Sequence, residues 1–239
     1  MVCCRSHGVP VFRFLFAQRV KRLVLLIVCC VFASTIFGSI QAFAASPDVA
    51  NKHFTILNDR LFGSGVALGN GLVATNAHTL HGRDAGERIT LVTTYPRSRR
   101  VKGIIIAKSS RMDLAIIQID QQESVTSPTP SHPVLVGARV FAFGATVRSG
   151  HARAHQLSGR VTDSSVHLKS FGTGIIAIFD EIHGGYSGGP VFNEDGQLIG
   201  MLAAISLSPA RHSTISEAFL ISASAIRLEA ERLMQQSVR

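Results

Sequence analysis

The chain has 239 residues, 24 Lys and Arg against 15 Asp and Glu, a formal charge of +9, 46% hydrophobic and 16% charged residues, and a mean hydropathy of +0.27. So few charges beside so much apolar content exclude a disordered or low-complexity chain, and 21 glycines without a three-residue period exclude a collagen-like one. The length suffices for one or two domains with cores of their own, and a +9 balance points to nucleic acid or an anionic membrane unless the charge is localised.

It is localised. Residues 1–22 hold Arg5, Arg13, Arg19, Lys21 and Arg22 and no acid, and residues 23–47 carry no charge at all. A basic segment before an apolar one, ending in Ala42-Phe43-Ala44, is the pattern of a secretory signal peptide over 1–44, with cleavage near Ala44 and export to the periplasm or beyond. An uncharged run of this length also suits a retained membrane anchor, since it can cross roughly 30 Å of hydrocarbon. Cys3, Cys4, Cys29 and Cys30 all lie in this segment, so a cleaved chain has neither disulfides nor a Cys-ligated zinc site. Beyond it, 19 basic residues face 15 acids, and nucleic acid is not expected as a partner.

From residue 45 onward, short β-branched runs recur between Gly, Pro and Asn. Gly65-Val66-Ala67-Leu68 and Gly71-Leu72-Val73-Ala74-Thr75 flank a tight Gly69-Asn70-Gly71 turn, and runs at 89–94, 103–107 and 114–119 follow. The polar, proline-containing stretch 121–133 reads as a linker. A second series at 139–144, 159–162, 174–179, 189–192 and 197–202 leads to a helical pattern with Ile226, Ala230 and Leu233 on one face and Ser222 or Ser224 as N-cap. The organisation expected is a first β unit at 45–120, a linker at 121–133, a second β unit at 134–221 and a terminal helix at 222–239. Evenly spaced short strands of this kind form barrels or sandwiches.

Chemistry concentrates in three places. His183-Gly184-Gly185-Tyr186-Ser187-Gly188-Gly189-Pro190 sets one serine in a glycine cluster before an apolar strand; such glycines permit a sharp turn and let backbone amides face a developing oxyanion. Leu72-Val73-Ala74-Thr75-Asn76-Ala77-His78 is a strand ending in Ala-His, and Asp113 stands immediately before the apolar run at 114–119. A base, an acid and a nucleophile in the order His, Asp, Ser form one of the known chain orders for nucleophilic acyl transfer.

With Gly63-Ser64-Gly65, Thr75-Asn76-Ala77-His78, Asp113-Leu114-Ala115, Ser187-Gly188-Gly189-Pro190 and 193–200, the chain resembles the trypsin-like serine proteases of the chymotrypsin clan, and within it the bacterial high-temperature-requirement (HtrA/Deg) proteases. The resemblance spans most of residues 54–235. It implies an all-β fold of two six-stranded antiparallel Greek-key barrels with a C-terminal helix, and a cleft between the barrels. It further implies that His78, Asp113 and Ser187 form a catalytic triad, that the Gly185 and Ser187 amides form the oxyanion hole, and that a protein or peptide is hydrolysed through an acyl-enzyme without metal or organic cofactor. A catalytically silent peptide binder on the same fold is the competing expectation, and a membrane-tethered protease a third.

The chain also departs from that pattern. Tyr186 stands where digestive relatives have an acid that pairs with a new N-terminus, and with 18 residues from 222 onward an appended PDZ domain is not expected. For the S1 pocket two expectations stand. Glu181 on its floor favours Arg or Lys at P1, whereas Leu202, Ala203, Ala204 and Ile205 along its wall favour a small or medium apolar residue. His183 either lines the cleft or faces solvent. The basic cluster around Arg97, Arg99, Arg100 and Lys102 reads as a solvated hairpin or edge strand, and His151 with His155 as part of a loop rather than a metal site.

Overall fold

Residues 115–119, Ala-Ile-Ile-Gln-Ile, read as an apolar run because the strand they form is covered on both faces. Ala115, Ile117 and Ile119 pack inside one barrel, while Leu114 and Ile116 join a second cluster that includes Phe141, Phe143 and Phe192 from the other barrel. Alternation, the usual mark of a half-exposed strand, disappears there.

The computed structural model describes residues 47–237 apart from 60, 121–126, 130–131, 150, 181 and 208–214. The segment 1–44, expected to be a signal or an anchor, lies outside the described residues, as does Glu181. A short helix α1 (Pro47–Ala50) precedes the first barrel, which comprises β1 (His53–Asn58), β2 (Leu61–Gly69), β3 (Leu72–Thr75), β4 (Arg88–Thr93), β5 (Arg99–Lys108) and β6 (Ala115–Ile119). The second comprises β7 (Arg139–Arg148), β8 (His151–Leu168), β9 (Gly172–Asp180), β10 (Pro190–Phe192), β11 (Leu198–Leu207) and β12 (Ile215–Ser222), followed by helix α2 (Ala223–Ser237). Both sheets are closed, in the orders β1-β2-β3-β6-β5-β4 and β7-β8-β9-β12-β11-β10. Every pairing is antiparallel. The chain thus folds as the two six-stranded barrels and helix that the resemblance implies, and the barrels repeat one strand order.

Local chemistry fixes the turns. Asn70 and Gly71 both have positive φ, 54° and 73°, the geometry of a two-residue hairpin turn matched to strand twist. Arg99–Lys102 open β5 as the return strand of a hairpin with β4, and closure of the barrel leaves no edge there. His151 and His155 lie not in a loop but in β8, paired with Arg148 and Gly144 of β7. The misreading has a physical cause: most of β8 reaches solvent, so the strand carries no apolar signature.

Each barrel has its own interior. Phe54, Ile56, Val73, Leu91, Val101 and Ile105 are among the residues filling the first, and Val140, Val161, Phe179, Tyr186, Val191 and Leu220 among those filling the second. Helix α2 buries Ile226, Ala230 and Leu233 in the cluster between them, and Ser222 caps it by accepting the Ala225 amide at 3.3 Å. One acid follows the apolar face inward. Glu229 is 5% exposed and accepts hydrogen bonds from Arg232 and from Ser109 of the first barrel. Those bonds, Arg232 first, hold its carboxyl below the ordinary range against the opposing effect of burial.

Candidate active site

Strand β3 delivers the first candidate side chain. After Thr75 the chain turns through Asn76 into a 3₁₀ turn, Ala77–Leu80, which presents His78 with its side chain half exposed. Asp113 comes from the loop before β6, which is folded by local bonds. Ser109 Oγ accepts the Arg111 and Met112 amides at 3.0 and 3.2 Å, and the Ser109 amide reaches Leu114 O at 2.8 Å. Asn76 Nδ2 holds the Asp113 carbonyl at 3.0 Å, and the Asp113 amide donates to Ser170 O of the second barrel at 3.1 Å.

The two side chains then meet. His78 Nδ1 donates to Asp113 Oδ2 at 2.6 Å, and the His78 backbone amide donates to Oδ1 at 3.0 Å. Both carboxylate oxygens are used, one fixing the ring and the other the backbone that carries it. With the proton held on Nδ1, Nε2 of a neutral His78 keeps its lone pair, as a general base requires.

Ser187 lies on the turn between β9 and β10. Its carbonyl accepts the Ser64 amide at 2.8 Å, so β2 of the first barrel grips the serine of the second. The same turn is tied by Gly188 N to Leu202 O at 2.8 Å, Leu202 N to Gly189 O at 2.9 Å, and Tyr186 N to His183 O at 3.2 Å. The Gly185 and Ser187 amides, on either side of Tyr186, donate to no other described residue. Ser187 Oγ makes no hydrogen bond to His78 in this structure; in resting sites such bonds are often long and tighten on substrate binding.

The glycines of this turn are not equivalent. A Cβ at Gly185 would stand 2.1 Å from Ala145 O, and one at Gly188, where φ is +81°, would stand 2.1 Å from Ser64 O; at Gly184 it would meet nothing within 4 Å. Gly188→Ala is therefore expected to cost on the order of 3 kcal/mol, from left-handed strain and a backbone clash together. Gly184→Ala should stay within about 0.5 kcal/mol of the parent in urea unfolding. Similar midpoints for the two variants would contradict this geometry.

Tyr186 turns away from the cleft. Its ring is fully buried in the second barrel, where a Cβ on Gly144 would fall 2.2 Å from it, and its hydroxyl is hydrogen bonded to His155 Nδ1 at 2.7 Å. Burial pushes the phenol up to about 12. The residue before the serine is thus an anchor, with the exposed His183 ring packed edge-on against it at 5.4 Å. Of the expected pocket wall, Leu202 is buried in the second barrel's core and Ala203 in the cluster between the barrels, whereas Ala204 and Ile205 are half exposed. Among the described residues no group of His, Cys, Asp and Glu could hold a metal ion.

Residues 63–201 match the pattern of the trypsin-like peptidase domain. Among curated proteins, the chain is 29% identical over 148 residues to a probable periplasmic serine endoprotease DegP-like of Pseudomonas savastanoi, covering 60% of this chain and 29% of that one. It is 30% identical over 143 residues to Protease Do-like 1, chloroplastic, of Arabidopsis thaliana, covering 56% and 31%. The chain therefore spans about a third or less of the length of these relatives. Among solved structures it superposes on the active form of the Rv3671c protease of M. tuberculosis with a TM-score of 0.61 at 18% identity, over 78% of this chain and 83% of that one. The MamO protease domain of Magnetospirillum magneticum gives 0.59 at 21%, over 76% and 97%. At such identities the likeness is one of fold.

Proposed function

The chain belongs to the family of trypsin-like peptidase domains, and on that premise we propose that it is an exported serine endopeptidase working through an acyl-enzyme on His78, Asp113 and Ser187. The observation that carries this reading is the 2.6 Å bond from His78 Nδ1 to Asp113 Oδ2, made in a chain whose Ser187 lies between two glycine pairs and beside unengaged amides.

In this mechanism Ser187 Oγ attacks the scissile carbonyl carbon while His78 Nε2 takes the hydroxyl proton. The carbonyl oxygen becomes an anion and is met by the Gly185 and Ser187 amides. As the C–N bond breaks, His78 returns its proton to the leaving amine, and a water then releases the acyl group by the same route in reverse roles. Asp113 keeps the ring in its working tautomer and stabilises the imidazolium. The half-exposed Ala204 and Ile205 favour a small or medium apolar P1 residue. Bacterial relatives are described as periplasmic proteases, which supports export of this chain. Among the described residues no helix is long and apolar enough to cross a membrane.

A second reading, a silent peptide-binding member of the fold, draws support from the missing bond between Ser187 Oγ and His78. A fluorophosphonate probe separates the two. The expected result is a single adduct by intact mass, absent from Ser187→Ala; no adduct, or one that survives that substitution, contradicts the enzyme. N-terminal sequencing of the exported protein distinguishes a cleaved chain from a tethered one.

A further inference from the structure

Ser64 is fully buried, yet it is the point where the two halves of the site are joined. Its amide donates to the Ser187 carbonyl at 2.8 Å, and its own carbonyl accepts from Thr75 Oγ1 at 2.7 Å, three residues before His78. Its hydroxyl oxygen lies 2.6 Å from Gly185 O, 2.9 Å from the Ala145 amide nitrogen and 3.0 Å from His53 Nε2.

These contacts admit one proton arrangement. A carbonyl only accepts, so the single hydroxyl proton of Ser64 goes to Gly185. The Ala145 amide takes one lone pair of Oγ, and the remaining partner, His53 Nε2, must then donate. His53 is therefore the neutral Nε2–H tautomer, and its buried Nδ1 has no partner among the described residues. Burial enforces that neutrality, pushing the His53 pKa down to about 3.

The consequence falls on the turn. The peptide between Gly185 and Tyr186 has its C=O held by Ser64 Oγ and the Ala145 amide, and its N–H held by His183 O. That peptide lies between the two that carry the Gly185 and Ser187 amides, and because neighbouring glycines offer little resistance to rotation, its outside bonds restrict how those flanking peptides turn. We propose that Ser64, its hydroxyl oriented by His53, is a positioning residue that holds the oxyanion turn in the form whose Gly185 and Ser187 amides are free. This role rests on the hydrolase reading given above.

The test uses dye-labelled casein and a peptide boronic acid, whose tetrahedral adduct draws on the same amides. Ser64→Ala is expected to lower kcat by roughly 30- to 100-fold, part of what loss of an oxyanion donor costs, with KM changed less than about threefold. Boronate affinity should fall by the same factor. His53→Phe should lower kcat roughly tenfold, and His53→Gln, which keeps a neutral N–H for Ser64, should restore it. Wild-type kcat in both Ser64→Ala and His53→Phe overturns the proposal, as does a loss that appears only in KM. If Ser64→Ala fails to fold by circular dichroism, the Phe and Gln variants at His53 decide on the same criterion. A parent protein that neither cleaves casein nor binds boronate overturns the hydrolase reading itself, and this role with it; cleavage by the parent together with unaffected variants overturns this role alone.

Discussion

Ser187→Ala, His78→Ala and the double variant are each expected to lose on the order of 10⁴-fold or more in kcat/KM, with the double no worse than the poorer single. The proposed mechanism gives the reason. Without Ser187 there is no oxygen for His78 to deprotonate, and without His78 the hydroxyl of Ser187 keeps its proton, so either change removes the same step. Asp113→Asn belongs to the same set. Asn can offer its amide to the ring where Asp113 Oδ2 now accepts from Nδ1 at 2.6 Å, reversing the tautomer, and a loss of about 10⁴-fold is expected with the fold intact. Losses that multiply between Ser187 and His78, measured on one substrate under single-turnover conditions, would show that the two do not act as a unit.

The second large effect is on stability in acid. His53 is wholly buried, and loss of water around its imidazolium lowers its pKa from 6.5 to about 3. An unfolded chain takes up a proton at this residue below pH 6.5, whereas the folded chain does not until about pH 3. Folding therefore loses up to about 1.4 kcal/mol per pH unit as the pH falls through that window, on the order of 5 kcal/mol in all. Above pH 6.5 the residue gives no slope. His53→Gln removes the titration but keeps a donor for Ser64, so the difference between parent and variant in urea unfolding should widen in the parent's disfavour from pH 6 toward pH 4. A constant difference across that range contradicts a neutral, buried His53.

What the sequence discloses about the site is whatever is compact along the chain. His78 follows its own strand, Asp113 precedes its own strand, and Ser187 sits in a glycine cluster, so each is visible within a few residues. Their mutual support is not. Ser64 meets Gly185 across 121 positions through a hydroxyl and a carbonyl, and no local pattern records that. Strand β1 was hidden because His53, Thr55 and Asn58 are polar residues at buried positions, and β8 because its residues are largely wet. The pocket wall shows a third obstacle. A register shift between Leu202 and Ala204 decides which side chains enter the core and which face outward, and a one-residue irregularity of that kind leaves no trace in composition. The Asn70-Gly71 hairpin and the helical face of Ile226, Ala230 and Leu233 were legible because turn conformation and helical period are properties of neighbouring residues alone.

The contact between Ser109 and Glu229 bears on the order in which a newly made chain matures. The two residues are 120 positions apart, and bringing such distant segments together carries a loop-closure cost that nearer pairs avoid. Ser109 also shapes the loop that carries Asp113, so one tether of that loop exists only when α2 is packed against it. A chain extended only through the first barrel would carry His78 and Asp113 on an unfinished support, with neither the turn of Ser187 nor α2 yet present. The complete site therefore exists only when residues of both barrels and α2 are in place together.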